Sequence, residues 1–204
     1  MKSYLLLTGA VLLLSLCWTL GIMAQVVEIP DNNLRAALES ALGKNAGDAI
    51  TDAELVGLKE LIVDAGYPWD PKLAEEEQVQ DLTGLEYCIG LQRLNLKNHQ
   101  ISDISAVSNL TNLKELSLDH NRIVDISAVA NLTSLTVLWI SSNWISDISP
   151  LSNLTNLTEL HLSYNQINDI SALSNLTSLT ELNLRSNLIN DISALSNLTN
   201  LQTL

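Results

Sequence analysis

LTELHLSYNQINDISALSNLTS, residues 157–178, is followed without a gap by LTELNLRSNLINDISALSNLTN, residues 179–200. The two segments match almost letter for letter, and each is 22 residues long. The same step carries leucine through Leu91, Leu113, Leu135, Leu157, Leu179 and Leu201. A strict period of this length means a solenoid, in which each repeat packs only on its neighbours. The repeat fixes an architecture and points to a binding surface, but it names no ligand.

Seven positions per repeat are apolar: Leu157, Leu160, Leu162, Ile167, Ile170, Leu173 and Leu176 in one, Leu113, Leu116, Leu118, Ile123, Ile126, Val129 and Leu132 in another. Leu160-His161-Leu162 alternates apolar and polar, the period of a strand with one buried face. Its register peers are Leu94–Leu96, Leu116–Leu118, Leu138–Ile140 and Leu182–Leu184. Stacked about 4.8 Å apart, these strands form a parallel ladder about 25 Å long.

Asn121, Asn143, Asn165 and Asn187 occupy the bend after the strand. A buried bend leaves backbone donors and acceptors unpaired, and an amide supplies both partners. These four are expected to be structural and to form a ladder along the coil. His99 stands at the same register in the first regular repeat; it can both donate and accept, but it is expected to fit less well and to break the column. On the return limb, Asp103, Asp125, Asp147, Asp169 and Asp191 each precede Ile-Ser. Aspartate and serine cap short helical turns, and Pro150 suits a first turn. A calcium column is the sharper reading, but the limb lacks the glycine-rich pattern of calcium-binding β-helix repeats.

The consensus L-x-x-L-x-L-x-x-N-x-I, followed by x-D-I-x-x-L, resembles the leucine-rich repeat. In its 22-residue form it resembles the bacterial internalin type, over residues 91–204 and back to about Leu58. The resemblance implies an α/β solenoid: a right-handed coil with a parallel β-sheet on the concave face and a small N-terminal helical cap. It also implies a secreted or cell-surface bacterial protein that binds other proteins.

Residues 1–24 have Lys2, an apolar run from Leu5 to Leu16 and a small residue, Ala24, as a secretory signal peptide does. An uncleaved anchor helix remains open, since Leu5 to Ala24 is about long enough to span a bilayer. Cleavage after Ala24 removes only Lys2 among charged residues and moves the net charge from −13 to −14. Such acidity disfavours nucleic acid and anionic membrane surfaces, so the mature domain is expected to be secreted and not membrane-inserted. Cys88 alone then remains, without a disulfide partner. It falls 22 residues before Leu110, at a buried register, so it reads as an apolar filler before a nucleophile.

Residues 25–57 are not repetitive and form the expected helical cap. Asp31 opens a helix with Leu34, Ala37, Leu38, Ala41 and Leu42 on one face, and Gly43 closes it. Thr51 and Glu54 make a capping-box pattern for a second helix. The cap covers the open edge and apolar face of the first strand. Residues 58–204 are the solenoid: an irregular repeat over 58–90, five regular repeats over 91–200 and a sixth begun at 201–204. The irregular repeat carries 11 extra residues within 64–78. Tyr67 and Trp69 lie there and make an aromatic loop a candidate contact, against the alternative of a Trp folded onto the cap. A repeat that starts and stops inside its strand is expected of a fragment of a longer chain.

Side chains alternating with the buried leucines face the inner curve. One column is Arg93, Glu115, Val137, Glu159 and Glu181; the next is Asn95, Ser117, Trp139, His161 and Asn183; the third is Lys97, Asp119, Ser141, Ser163 and Arg185. Beside them run Asn98, His120, Ser142, Tyr164 and Ser186. Trp139, His161 and Tyr164 are the candidate anchors, with Trp144 near the bend, and Arg93, Glu115, Asp119, Glu159 and Glu181 surround them. The acids favour a protein ligand of basic character. Trp139 as a mere cover for its neighbours is the other reading. His161 with Ser141, Ser163 and Glu159 could be drawn as a triad, but a regular open sheet offers no strained nucleophile turn. There is no phosphate-binding glycine loop and no Cys/His metal spacing. The expectation is no enzyme, no cofactor and no metal. A structural spacer, or a targeting arm of a larger surface enzyme binding cell wall or glycan, is the alternative to a protein-binding module.

Overall fold

The computed structural model describes residues 24–63 and 78–204. The expected signal segment, up to residue 23, and the loop candidates Tyr67 and Trp69 lie outside the described residues. Two helices, α1 (Asn32–Ala41) and α2 (Asp52–Gly57), precede strands β1 (Glu60–Ile62), β2 (Arg93–Asn95), β3 (Glu115–Ser117), β4 (Val137–Trp139), β5 (Glu159–His161) and β6 (Glu181–Asn183). The strands form one parallel sheet in sequence order. Leu94 pairs with Leu116, Leu116 with Leu138, Leu138 with Leu160 and Leu160 with Leu182, so each regular step is 22 residues. Leu61 pairs with Leu94, a step of 33, which places the insertion between the first two strands.

Each strand is three residues long because only the L-x-L core alternates. The chain then bends, and short 3-10 turns such as Ser105–Val107, Ser127–Val129 and Ser171–Leu173 bring it back. The Asp of each D-I-S caps its turn: Asp103, Asp125, Asp147, Asp169 and Asp191 each accept the N–H of the serine two residues on, at 2.7–2.8 Å. That bond holds the carboxyls of Asp103, Asp147 and Asp191 below the usual range. Inside the coil, the seven apolar positions of residues 113–132 and of 157–176 are all buried. Each such Leu or Ile contributes about 1.5–3 kcal/mol relative to exposure. In the last of the five repeats Ile192, at the register of the buried Ile170, is 63% exposed, and Leu188, at the register of the exposed Trp144, is 61% exposed.

The asparagine amides run along the bend. Asn143 Oδ1 accepts the Ile123 N–H at 3.0 Å, and its Nδ2 donates to the carbonyls of Leu118 (3.0 Å), Ile140 (3.2 Å) and Ser141 (3.2 Å). Asn121, Asn165 and Asn187 repeat the pattern. His99 does not break the column, contrary to expectation. Its Nδ1 accepts the Val79 N–H at 3.2 Å, and its Nε2 lies 2.8 Å from the Val63 carbonyl. Val79 and Val63 are the counterparts of Ile101 and Leu96, the partners of Asn121. An imidazole carries one donor and one acceptor on opposite edges, so it spans the same two groups.

The residue before each of these side chains is left-handed: Asn98, His120, Ser142, Tyr164 and Ser186 have φ of 55–64°. Few non-glycine residues adopt this region, and asparagine tolerates it best. The column expected to lie beside the recognition face is therefore also the hinge of every bend.

The cap follows its signals. Asp31 Oδ1 accepts the N–H groups of Asn33 and Leu34, and Gly43, at φ 66°, lies just beyond the end of α1. Leu34 and Leu38 are buried, Ala37 and Leu42 pack partly buried against the same core, and of the expected face only Ala41 is exposed. Asp31 Oδ2 reaches across the insertion to accept the N–H groups of Gln80 (2.8 Å) and Asp81 (3.2 Å). Glu54 accepts from the Thr51 N–H and hydroxyl and pairs with Lys44 at 2.8 Å. Lys44 first, and Thr51 second, hold its carboxyl down at about 2.

Since the folded-state value lies below the ordinary 4.5, the contribution of Glu54 is complete above about pH 4.5 and is lost as pH falls through about 2. Glu54→Gln is expected to flatten the dependence of the melting midpoint on pH across that window. Identical slopes for the variant and the parent would remove Glu54 as a source of acid sensitivity.

Candidate recognition face

The sheet register sets the face. Side chains on β2 to β6 that alternate with the leucines stand in columns, each one strand spacing from the next. The structure divides the expected residues into three groups. The first is ionic: Arg93 donates through Nε and Nη2 to both oxygens of Glu115, at 2.7 and 3.2 Å, and through Nη1 to Glu60 at 2.9 Å. Glu115, expected to attract a basic partner, is thus engaged within the chain.

The second group is central. Trp139 and His161, register partners on β4 and β5, stack with centroids 5.9 Å apart and planes at 18°. The Trp139 indole N–H donates to Glu159 Oε1 at 2.7 Å. His161 Nε2 lies 2.9 Å from Glu181 Oε1 and 3.5 Å from Glu159 Oε1. All four side chains are half-buried. The third group is at the bend: Tyr164 is 51% exposed with the Arg185 guanidinium 5.7 Å from its ring centroid, and Trp144 is 52% exposed.

Some expected positions do not face solvent. Ser117 and Ser163 are buried, and the Ser163 hydroxyl donates to that of Ser141 at 3.0 Å. Asp119 accepts the Ser141 N–H at 2.6 Å, and burial pushes its carboxyl up against that bond. It serves as a link between coils. The serine–histidine triad does not assemble, since the hydroxyls of Ser141 and Ser163 pair with each other and His161 turns to carboxylates. Burial, and then Glu86, pushes the Cys88 thiol up to about 12, which leaves it protonated and inert at neutral pH. The sequence placed Glu159, His161 and Glu181 on this face and set His161 beside Glu159, but offered no reason to add Glu181 to them. Their proximity comes from strand stacking, which joins positions 20 and 22 apart.

Residues 89–131, 111–153, 133–175 and 155–197 match the family described as Leucine Rich repeats (2 copies). The chain belongs to the leucine-rich repeat family. Among solved structures, this leucine-rich repeat chain is similar to an internalin, InlF, of Listeria monocytogenes, at 37% identity and a TM-score of 0.77. That match covers 85% of this chain and 48% of the internalin. A leucine-rich repeat protein of Leptospira interrogans is 27% identical with a TM-score of 0.57, covering 74% of this chain and 44% of its own. InlJ of Listeria monocytogenes shares the fold at 22% identity and a TM-score of 0.54, over 89% of this chain and 48% of its own. The leucine-rich repeats are of the internalin type, and the chain spans about half the length of these three structures. No curated protein sequence matches it. Leucine-rich repeat solenoids of this kind are typically non-catalytic and present extended concave surfaces to other proteins. No helix among the described residues is long and apolar enough to cross a membrane.

Proposed function

We propose that the chain is the protein-binding module of a secreted or cell-surface bacterial protein and recognises its ligand through the concave sheet face. The observation that carries this reading is the central group. Trp139 is held by a stack on His161 and a hydrogen bond to Glu159, on strands fixed by the solenoid ladder. An aromatic whose rotamer is locked before contact loses little entropy on binding, as interface anchors require. The first column holds Glu60, Glu115, Glu159 and Glu181 against one guanidinium, Arg93, which keeps the face acidic and suited to a basic partner. The apolar and basic pattern of residues 1–24 supports export.

A glycan-binding arm is the less favoured reading. His161 covers one face of Trp139, which leaves at most one ring face for a sugar. Pull-down from extracellular and host extracts, followed by titration of the captured protein, tests the proposal. Trp139→Ala is expected to weaken binding by about 2 kcal/mol, roughly 30-fold. A ligand that binds wild type and variant equally would place recognition elsewhere.

A further inference from the structure

We propose that Glu159, His161 and Glu181 form a binding site for one divalent transition-metal ion of the zinc class. The site shares His161 and both glutamates with the proposed recognition face, but its test needs no protein ligand. Glu159 and His161 stand two residues apart on the same face of β5, and Glu181 is the register partner of Glu159 on β6. One donor atom from each, His161 Nε2 and a carboxylate oxygen from either glutamate, lies within 4.8 Å of the other two. The imidazole nitrogen is 2.9 Å from Glu181 Oε1 and 3.5 Å from Glu159 Oε1. Around a tetrahedral zinc ion with bonds of about 2.0–2.2 Å, neighbouring ligand atoms stand about 3.3 Å apart. The two distances from the imidazole nitrogen bracket that spacing, and the three residues stand on strands.

The charge arrangement gives a second, separate reason. Like charges directly opposite each other on adjacent strands are destabilising. The same column meets this problem twice. At its start Arg93 sits between Glu60 and Glu115 and pairs with both. At its end Glu159 and Glu181 are adjacent, the preceding residue of the column is Val137, and both acids turn to His161. A bound cation at the second place does what the guanidinium does at the first. Trp139 completes the arrangement from outside, since its N–H orients Glu159 and its ring fixes the imidazole plane. Groups that orient ligands in this way raise metal affinity.

The donor set selects the ion. Calcium and magnesium take all-oxygen shells, while an imidazole nitrogen with carboxylates suits zinc and its neighbours. The imidazole binds as its Nδ1–H tautomer, with the Nε2 lone pair on the metal. Three protein ligands leave the fourth position open to the concave face.

Titration of the purified chain with zinc chloride, followed by calorimetry, tests the proposal. One ion per chain is expected, with Kd on the order of 1 μM, weaker than four-ligand structural sites. His161→Ala and Glu181→Gln are each expected to weaken zinc binding by at least about 100-fold and 10-fold, and Trp139→Phe by about 10-fold through lost orientation. Cobalt(II) in place of zinc is expected to give the intense visible bands of a four-coordinate ion, absent in His161→Ala. Zinc binding that is unchanged in both ligand variants, or absent at millimolar zinc, overturns the proposal. Melting curves without metal show whether a variant is folded, and Glu181→Gln decides the matter if His161→Ala is not.

Discussion

Asn143→Ala is expected to destabilise the solenoid by about 3 kcal/mol, at the upper end for an unsatisfied buried group. The substitution removes an acceptor from the Ile123 N–H and a donor from three carbonyls, in a side chain only 4% exposed. The Ser141 carbonyl keeps its bond from the His120 N–H. The Ile123 N–H therefore bears most of the loss, because a buried donor without an acceptor costs more than a carbonyl that keeps one of two bonds. Asn187→Ala is expected to cost clearly less. Asn187 makes the same bonds, but it is only half-buried in the last repeat and water can replace the amide. Denaturant titration of the two variants checks the gradient. Equal losses, or none, would mean that the amides follow the bend without supporting it.

Gly90→Ala carries the other large effect, about 3 kcal/mol or more, and it acts on the cap. A β-carbon at Gly90 would stand 2.1 Å from the Val56 carbonyl and 3.1 Å from that of Leu58. Both are backbone atoms at the end of α2, so no side-chain rotation relieves the clash and the helix must move off the first coil. Val27, Ile29, Leu34, Leu38, Ile50 and Leu55 belong to the same continuous core as Leu61, Leu85 and Leu91, so displacing α2 opens that core. Gly57→Ala is the control: a β-carbon there meets nothing within 4 Å. It is expected to be neutral or slightly stabilising, because alanine suits a helix better than glycine. Hydrogen exchange of the cap amides, with a thermal melt, separates the two. A Gly90→Ala protein as protected as the parent would show that cap and coil are not in such close contact.

The parts of the fold that depend on period were legible in the sequence. Translation by 22 gave the strand register, the buried leucines and the asparagine column, because each repeat meets the same surroundings. Caps were legible because Asp31 and Thr51–Glu54 act over two or three residues. The donor and acceptor of His99 were legible, but its fit was not, since the span of an imidazole between Val79 and Val63 depends on geometry that the letter does not carry. The left-handed column was hidden for a different reason: glycine marks such bends elsewhere, and here Ser142 and Tyr164 adopt them without it.

The candidate face was legible as a set of positions and illegible as a set of contacts. Which column a side chain joins depends on the strand period. Which neighbour it bonds depends on rotamers that no single-chain pattern records. Glu115 was placed correctly, but its bidentate bond to Arg93 turns a free charge into part of an internal pair. Adding Glu181 to Glu159 and His161 required stacking of adjacent strands.

The bonds of His99 bear on how this chain can vary. One imidazole holds Val63 and Val79, the residues flanking the inserted stretch, and Asp31 anchors Gln80 and Asp81 immediately beyond. Strand register on either side is thereby decoupled from whatever the intervening residues do. Such a clamped pair of stems is a natural graft point, where foreign sequence could be exchanged or lengthened at little thermodynamic cost to the coil beneath.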